Sequence, residues 1–206
     1  MDAKMKGMVM AAMSALCLVL GIMGAMGNTW LVPEDEEEGM DAGAGLTSYW
    51  VEMDAGDADT CDMMADMMEG DGDAECDGSM LTMSMTFSDD CEAEELDDYE
   101  ESCDMATGGM IGTIGMWAGV LCALLVALTL ILPMAGVDAM DAMPDMGKMI
   151  TSWGAGGLML VGILGWWMML PDGGDMTMGM SSMMAIGAAL LGLAAAAMDQ
   201  FMDADE

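Results

Sequence analysis

The chain of 206 residues carries 37 acidic residues, three lysines, no arginine and no histidine, which gives a net charge of -34. The missing histidines exclude a Ser-His-Asp type of triad, an imidazole metal site and a His-ligated haem, and the missing arginines exclude a bidentate phosphate clamp. So negative a chain repels nucleic acid and anionic lipid headgroups, and it attracts cations and basic partners. Yet 55% of the residues are hydrophobic, because the two characters are segregated: residues 28–107 hold 27 of the 37 acids and no lysine.

Long apolar runs are the strongest signal in the chain. A helix needs roughly 20 apolar residues to cross a hydrocarbon core about 30 Å thick. Four uncharged runs meet that length, at residues 7–26, 108–134, 149–170 and 176–198. The sequence therefore predicts an all-α membrane fold, a bundle of four transmembrane helices. The expected domains are an N-terminal transmembrane helix in 1–27, an acidic domain in 28–107, and a three-helix transmembrane region with a short cytoplasmic tail in 108–206.

The three lysines predict the direction of insertion, because cytoplasmic loops of membrane proteins are enriched in basic residues. Lys4 and Lys6 precede the first run, and Lys148 lies between the second and the third. All three are cytoplasmic if both chain termini are cytoplasmic, which places residues 28–107 outside a prokaryotic cell membrane. The first run is also typical of a cleaved secretory signal, but its length favours an uncleaved anchor. Both alternatives place the acidic segment outside.

The acidic segment carries strand and helix signals. Period-two alternation predicts strands at 47–53 and 81–87, with a further strand at 28–32, and residues 62–69 favour a short helix. Residues 89–101 are rich in carboxylates and are either a solvated helix or disordered. Alternation favours a small, partly β extracellular domain between the first two membrane helices. The alternative is a disordered acidic loop, since high net charge disfavours a core.

Cysteines support the folded alternative, because an extracellular segment permits disulfides. Four cysteines allow three pairings, and short spacing favours the two local pairs without deciding among them. Two other cysteines, Cys17 and Cys122, lie inside apolar runs and are expected to be free thiols that fill space. The expected disulfide-forming residues are Cys61, Cys76, Cys91 and Cys103.

Small residues recur at helical spacing in the second and fourth apolar runs. In lipid, helices associate by close packing of such residues rather than by burial from water. The stripes therefore predict tight helix packing, either within the chain, which we favour, or between chains. The expected packing residues are Gly108, Gly112, Gly115 and Gly119 on one helix and Ser181, Ala185, Ala188 and Gly192 on another.

Two metal hypotheses arise from the acidic segment. Asp73, Glu75 and Asp77 have the spacing of the first half of an EF-hand loop, although the twelfth position would be Ser84. Paired methionines offer soft ligands for Cu(I), at Met63, Met64, Met67, Met68, Met83 and Met85. This methionine-rich chain holds 34 methionines, and the acidic segment is not enriched in them, so use as an apolar filler explains them better. No resident cofactor is expected, beyond loosely bound divalent cations.

The order of parts resembles the claudin and PMP22-like superfamily of four-pass membrane proteins. Trp30 lies early in the first outer segment, and Gly45-Leu46 is followed by Tyr49-Trp50, in the place where that family has a Gly-Leu-Trp motif. Cys61 and Cys76 stand where the family has a cysteine pair. The resemblance implies a small antiparallel sheet in the first outer segment, with Trp30, Gly45, Leu46 and Trp50 as fold-determining residues.

Intramembrane charges usually mark ion paths or proton relays, and the four apolar runs contain none. With no nucleophile motif or phosphate loop either, we expect no enzyme. The expected function is structural or interactive: an accessory subunit, an adhesion protein or an envelope-organising component. The alternative is extracellular binding of Ca²⁺ or Cu⁺, or cation permeation through the acidic loop and the bundle. The expected partners are the lipid bilayer and a protein partner or a second copy of the chain, and no nucleic acid. Acidity on both sides of the membrane also fits a salt-adapted proteome.

Overall fold

The computed structural model describes residues 3–34, 39–68, 72–92, 99–134, 144–171 and 176–202. In chain order its elements are α1 (Ala3–Met26), β1 (Leu31–Pro33), β2 (Met40–Ala44), β3 (Ser48–Asp54), α2 (Ala58–Met67), β4 (Asp73–Asp77), β5 (Met80–Thr86), α3 (Phe87–Glu92), α4 (Tyr99–Met134), α5 (Asp145–Trp167), β6 (Met176–Met178) and α6 (Met180–Met202).

The chain divides into two compact units. The helical unit comprises Met1–Met26, Gly112–Gly165 and Met183–Glu206, and the sheet unit comprises Gly27–Ile111 and Trp166–Ser182. The expected domain at 28–107 thus corresponds to most of the sheet unit, which also takes in a second segment from the far end of the sequence.

Among the described residues, four helices are long and apolar enough to cross a membrane: α1, α4, α5 and α6. The prediction of a mostly helical, multi-pass membrane protein is therefore confirmed at this level. The second helix begins nine residues earlier than predicted, at Tyr99 rather than residue 108. Its first turns carry Glu101 and Asp104, because carboxylates near a helix N-terminus interact favourably with the helix dipole. Charged residues therefore mark where a membrane span ends, but the helix itself can continue through them, as α4 does.

The start of the fourth predicted span is wrong. Met176–Met178 forms strand β6, and helix α6 begins only at Met180. The backbone of this segment pairs with β1, in the register Val32 opposite Thr177. Apolar composition fits a strand as well as a helix over so few residues, so the sequence alone could not separate them. The third span likewise ends at Trp167, ahead of Pro171.

The helical unit is held together by helices that approach at their backbones. A Cβ built on Gly115 of α4 would lie 2.5 Å from the Cα of Gly162 in α5. Cβ atoms on Gly24 and Gly192 would meet backbone atoms of Ala185 and Gly156 at 3.0 and 2.8 Å. No side chain larger than hydrogen fits at such contacts without movement, which is the packing expected of helices in lipid.

All six strands of the sheet unit belong to one antiparallel sheet, in the order β4-β5-β3-β2-β1-β6. Val51 of β3 lies opposite Ala42 of β2 and Met83 of β5, and Tyr49 lies opposite Ala44 and Met85. Directly opposed residues share a face, so the two alternating segments place their apolar residues on the same side. The other face is acidic: Asp41, Glu52, Thr82 and Glu75 form one cross-strand row.

Both local cysteine pairs form disulfides, Cys61–Cys76 and Cys91–Cys103. The first ties α2 to the edge strand β4 and buries Cys61 completely. Helix α2 begins earlier than the predicted residue 62, because Asp57 caps it by accepting a hydrogen bond from the Thr60 amide at 2.9 Å. The second disulfide joins α3 to α4. Residues 93–98 of the predicted stretch 89–101 lie outside the described residues.

Replacing Cys61 and Cys76 together with alanine is expected to lower the free energy of unfolding of the sheet unit by about 3 kcal/mol, the value for closing a loop of this size. Denaturant titration followed by tryptophan fluorescence measures the change. The control is Cys122→Ala, which removes a free thiol and is expected to shift the midpoint far less. Equal midpoints for the two variants would contradict the prediction.

Candidate functional site

The described part of the sheet unit contains an open groove of about 660 Å³, lined by residues of the sheet and of the start of α4. We call it the sheet groove. Its sheet side includes Ala42, Ala44 and Val51 with the ring of Phe87, and Met105 of α4 lies across from them. Its volume falls within the range of small-molecule sites, which are mostly apolar with a few polar groups. The sheet groove is therefore the candidate functional site.

The walls are apolar because of the register of the sheet. Ala42 and Ala44 lie two apart on β2, and Val51 and Tyr49 oppose them on β3. The two alanines leave space above the sheet where larger side chains would fill it. Phe87, only 5% exposed, packs its ring 5.5 Å from that of Tyr49 and closes the inner end.

The polar side chains that line the sheet groove include Tyr49 and Glu101. The Tyr49 hydroxyl donates to Met85 Sδ at 2.9 Å, on the same face of the sheet. Partial burial raises the pKa of this phenol to about 12, and the nearby Asp90 carboxylate adds to the rise. Tyr49 is thus held neutral as a donor. Glu101 is exposed at the rim and presents only acceptor oxygens.

Titrating tyrosinate absorbance in a Tyr99→Phe background, where Tyr49 is the only tyrosine, is expected to give a midpoint near 12 rather than 10. The unfolded chain loses this phenolic proton first, so the tyrosine's contribution to stability is complete below pH 10 and declines as the pH rises towards 12. Asp90→Asn should lower the midpoint, because it removes the neighbouring negative charge. Asp62→Asn, on the exposed surface of α2, is the control. A wild-type midpoint near 10 would contradict the assignment.

The residues that carry the family resemblance lie together in the sheet unit. Trp30 is fully buried, and its ring meets that of Trp166 edge to face, with centroids 4.8 Å apart. Leu46 is buried, and its carbonyl oxygen lies against Gly109 of α4, where a Cβ would collide with it. Gly45 is also buried, and Trp50 donates from its ring nitrogen to the Asn28 carbonyl at 3.1 Å. These residues anchor the sheet to the helix ends of its own unit.

The residues predicted to pack helices together contact different parts of the structure. Gly112, Gly115 and Gly119 face α5. A Cβ built on Gly115 or Gly119 would meet atoms of α5, and a Cβ built on Gly162 would meet the backbone of Gly112 and Gly115. Ala185 and Gly192 contact α1 and α5, and Ala188 is fully buried. Gly108 instead lies against Met169 and Trp166. Ser181 shares a hydrogen bond of 2.9 Å with the Thr29 hydroxyl, so it joins the sheet unit rather than a helix seam.

The predicted metal-binding residues do not form a calcium loop. Asp73, Glu75 and Asp77 lie on the edge strand β4, all exposed and all on the acidic face. Alternate residues of a strand are nearly 7 Å apart, so their carboxylates spread along the edge instead of converging. Within the described ranges, no group of three His, Cys, Asp or Glu side chains is placed to hold a metal ion. Carboxylates at an edge strand are typical of protection against strand addition.

The methionines proposed for copper lie in or directly after helix α2 and on strand β5. Met63 and Met67 are 62% and 71% exposed on α2, while Met64 and Met68 are half-buried. Met83 and Met85 lie on β5, where Met85 Sδ already accepts the hydrogen bond from Tyr49. Copper binding by these six methionines requires their sulfur atoms to converge, and it stays a prediction.

Sequence reasoning missed the sheet groove and its lining residue Phe87, which the alternation predicts as the end of a strand. It also missed two contacts elsewhere in the sheet unit, those of Gly109 with Leu46 and of Trp166 with Trp30. The sequence carries only a weak signal for the sheet groove, because Ala42 and Ala44 lie in a segment where bulky apolar residues do not alternate with polar ones. Only the pairing of β2 with β3 shows that they face the same space.

A comparison with protein-family models returns no match to this chain, and a comparison with curated proteins returns none either. The fold defines the class of the protein: a multi-pass membrane protein with four apolar helices and two disulfides.

Proposed function

We propose that the chain is a four-pass protein of the claudin and PMP22-like type, with both termini cytoplasmic and the sheet unit outside the cell membrane. Its function is structural or interactive: the helices anchor it, and the sheet unit contacts a partner. Accessory subunit, adhesion protein and envelope organiser are the roles that fit. Catalysis forms no part of the proposal.

The observation that carries the proposal is the close packing inside the helical unit. The backbones of Gly115 and Gly162 are in contact, and so are those of Gly156 and Gly192. The cavity beside Cys17 and Ser14, in the middle of this unit, has room for about 10 Å³, about one water molecule. A tightly packed bundle suits an anchor better than a conduit, which needs a continuous polar path.

Orientation is supported by two independent features. Lys4, Lys6 and Lys148 fall on one side of the membrane when the termini are cytoplasmic. The Cys61–Cys76 and Cys91–Cys103 disulfides then fall on the opposite side, where oxidising conditions allow them to persist. The charge rule and the redox rule thus agree on the same topology.

The family assignment is supported by the sheet unit. It joins a large first segment, with Trp30 and Gly45-Leu46 at its base, to a short second segment that supplies β6. The antiparallel sheet is what the resemblance implies for this position.

The test of the structural role is reconstitution. Purified protein in liposomes is expected to pass Na⁺ and Ca²⁺ no faster than protein-free liposomes, because the described helices of the helical unit are in close backbone contact. Calcium titration is expected to give only salt-sensitive binding weaker than about 10 μM, outside the range of sensor sites. Protein-dependent flux would overturn the proposal in favour of permeation, and tight stoichiometric calcium would overturn it in favour of cation binding.

A second measurement tests the interactive role. In membranes of the native cell solubilised in mild detergent, the 21.5 kDa chain is expected to migrate in native electrophoresis within a larger complex. The purified chain in the same detergent is the size control. Migration at the size of the purified monomer alone would contradict an accessory or organising role.

A further inference from the structure

The apolar side of the sheet groove has no covering in the described part of the chain. Val51 and Pro33 remain half-buried rather than buried, and Met176 is 48% exposed. Apolar walls of this extent are costly in water and favour an apolar occupant. We propose that the sheet groove binds one hydrocarbon chain of a membrane lipid whose headgroup carries no net negative charge.

The position of the sheet groove in the sequence identifies the lipid bilayer as the source of the occupant. Its lining residues Glu101 and Met105 belong to the apolar span Glu101–Leu132. Leu170 follows the end of another span by three residues, and Met176 precedes a third by four. Groove-lining residues therefore lie where three spans meet the membrane surface. A groove lined by residues of these spans can receive a hydrocarbon chain from the same leaflet.

The charges around the sheet groove select the headgroup. Glu101 places a carboxylate at the rim, and Asp90 lies beside the Tyr49 hydroxyl. On a chain with a net charge of -34, these carboxylates repel an anionic phosphate that lacks a compensating cation. A zwitterionic headgroup instead brings a positively charged ammonium group, which the Glu101 carboxylate attracts. The selection is therefore against anionic lipids and for neutral or zwitterionic ones.

The inference rests on the proposed placement of the sheet unit at the membrane surface, but not on the proposed structural role. Its test uses the full chain in detergent, with dioleoyl phosphatidylcholine added as the zwitterionic probe and dioleoyl phosphatidylglycerol as the anionic probe. Native mass spectrometry counts the lipids retained at collision energies that strip loosely bound lipid. One phosphatidylcholine per chain is expected, with phosphatidylglycerol retained about tenfold more weakly because of like-charge repulsion.

Two variants fill the sheet groove from different strands: Ala42→Phe on β2 and Val51→Phe on β3. Each is expected to weaken retention of phosphatidylcholine by about tenfold, because the new ring occupies the space of the chain. The matched control is Thr82→Phe, which adds the same ring to the acidic face of the same sheet and should bind as the wild type does. Glu101→Gln should narrow the difference between the two lipids. If one filling variant fails to fold, the other variant still tests the proposal. The comparison of the two lipids on the wild-type protein tests it as well.

Equal retention by the wild type and both filling variants would overturn the proposal, since the lipid would then bind elsewhere on the helices. Stronger retention of phosphatidylglycerol would overturn the headgroup selection. A dimer that the filling variants convert to monomer, with lipid retention unchanged, would assign the sheet groove to a protein segment instead. Ion flux through liposomes would overturn the proposed structural role without changing the number of lipids retained per chain. The structural role and the lipid site are therefore tested independently.

Discussion

Replacing Gly162 with leucine is expected to lower the free energy of unfolding by about 2 to 3 kcal/mol, the cost of overpacking a closed contact. A Cβ at this position would lie 2.9 Å from the Gly115 Cα and 3.1 Å from the Gly112 carbonyl oxygen. Both are backbone atoms, which cannot rotate away as a flexible side chain can. The leucine must therefore push α4 and α5 apart. Reversible unfolding in mixed detergent measures the loss.

Gly157→Leu is the matched control for this variant. Gly157 lies in the same helix, five residues earlier, and a Cβ there would meet nothing within 4 Å. Both variants gain the same helix propensity, so their difference isolates the contact with α4. Gly157→Leu is expected to change stability by less than about 1 kcal/mol. Two equal losses would mean that the close approach of α4 and α5 is absent.

Replacing Trp166 with alanine is expected to cost about 4 kcal/mol, the range measured for removing a fully buried large aromatic residue. Trp166 is 1% exposed and Trp30 is fully buried against it. Part of the loss comes from the edge-to-face pair, which contributes about 1 kcal/mol beyond burial. Combining Trp166→Ala with Trp30→Ala in a double-mutant cycle should return that coupling energy.

The neighbouring Trp167 is the control, because the same indole is removed from a site that is 51% exposed. Trp167→Ala is expected to cost less than about 1 kcal/mol. The readout is the unfolding midpoint of the sheet unit, since both Trp30 and Trp166 belong to it. A large loss for Trp167→Ala, or additive losses for the Trp30 and Trp166 variants, would show that the pair does not hold the unit.

The membrane helices could be predicted because composition alone specifies them. About 20 uncharged apolar residues have few stable fates other than crossing a bilayer. The ends of these helices were harder to predict from the sequence. Helix α4 starts among carboxylates at Tyr99, and Met176–Met178 joins a sheet, because helix dipoles and strand partners are not visible in local hydropathy.

The sheet groove shows why a site is harder to predict than the fold around it. The alternation around Tyr49 and Met83 predicts which residues share a strand face, but not which strands become neighbours. Ala42 and Ala44 carry no alternation of their own. Their role follows only from lying opposite Val51 and Tyr49, over the start of a helix more than 50 residues later. A long-range juxtaposition of that kind leaves no local pattern.

The place of β6 in the sheet imposes an order on biosynthesis. Strands β1 to β5 lie within residues 31–86, so all five are synthesised before the second membrane helix. The remaining partner of β1 is Met176–Met178, which is synthesised only after two further membrane helices, α4 and α5. Until then the edge of β1 is open to pairing with a strand of another chain. The nascent protein is thus most vulnerable to misassembly while its third membrane helix is being inserted, and the last quarter of the sequence completes a sheet begun by the first.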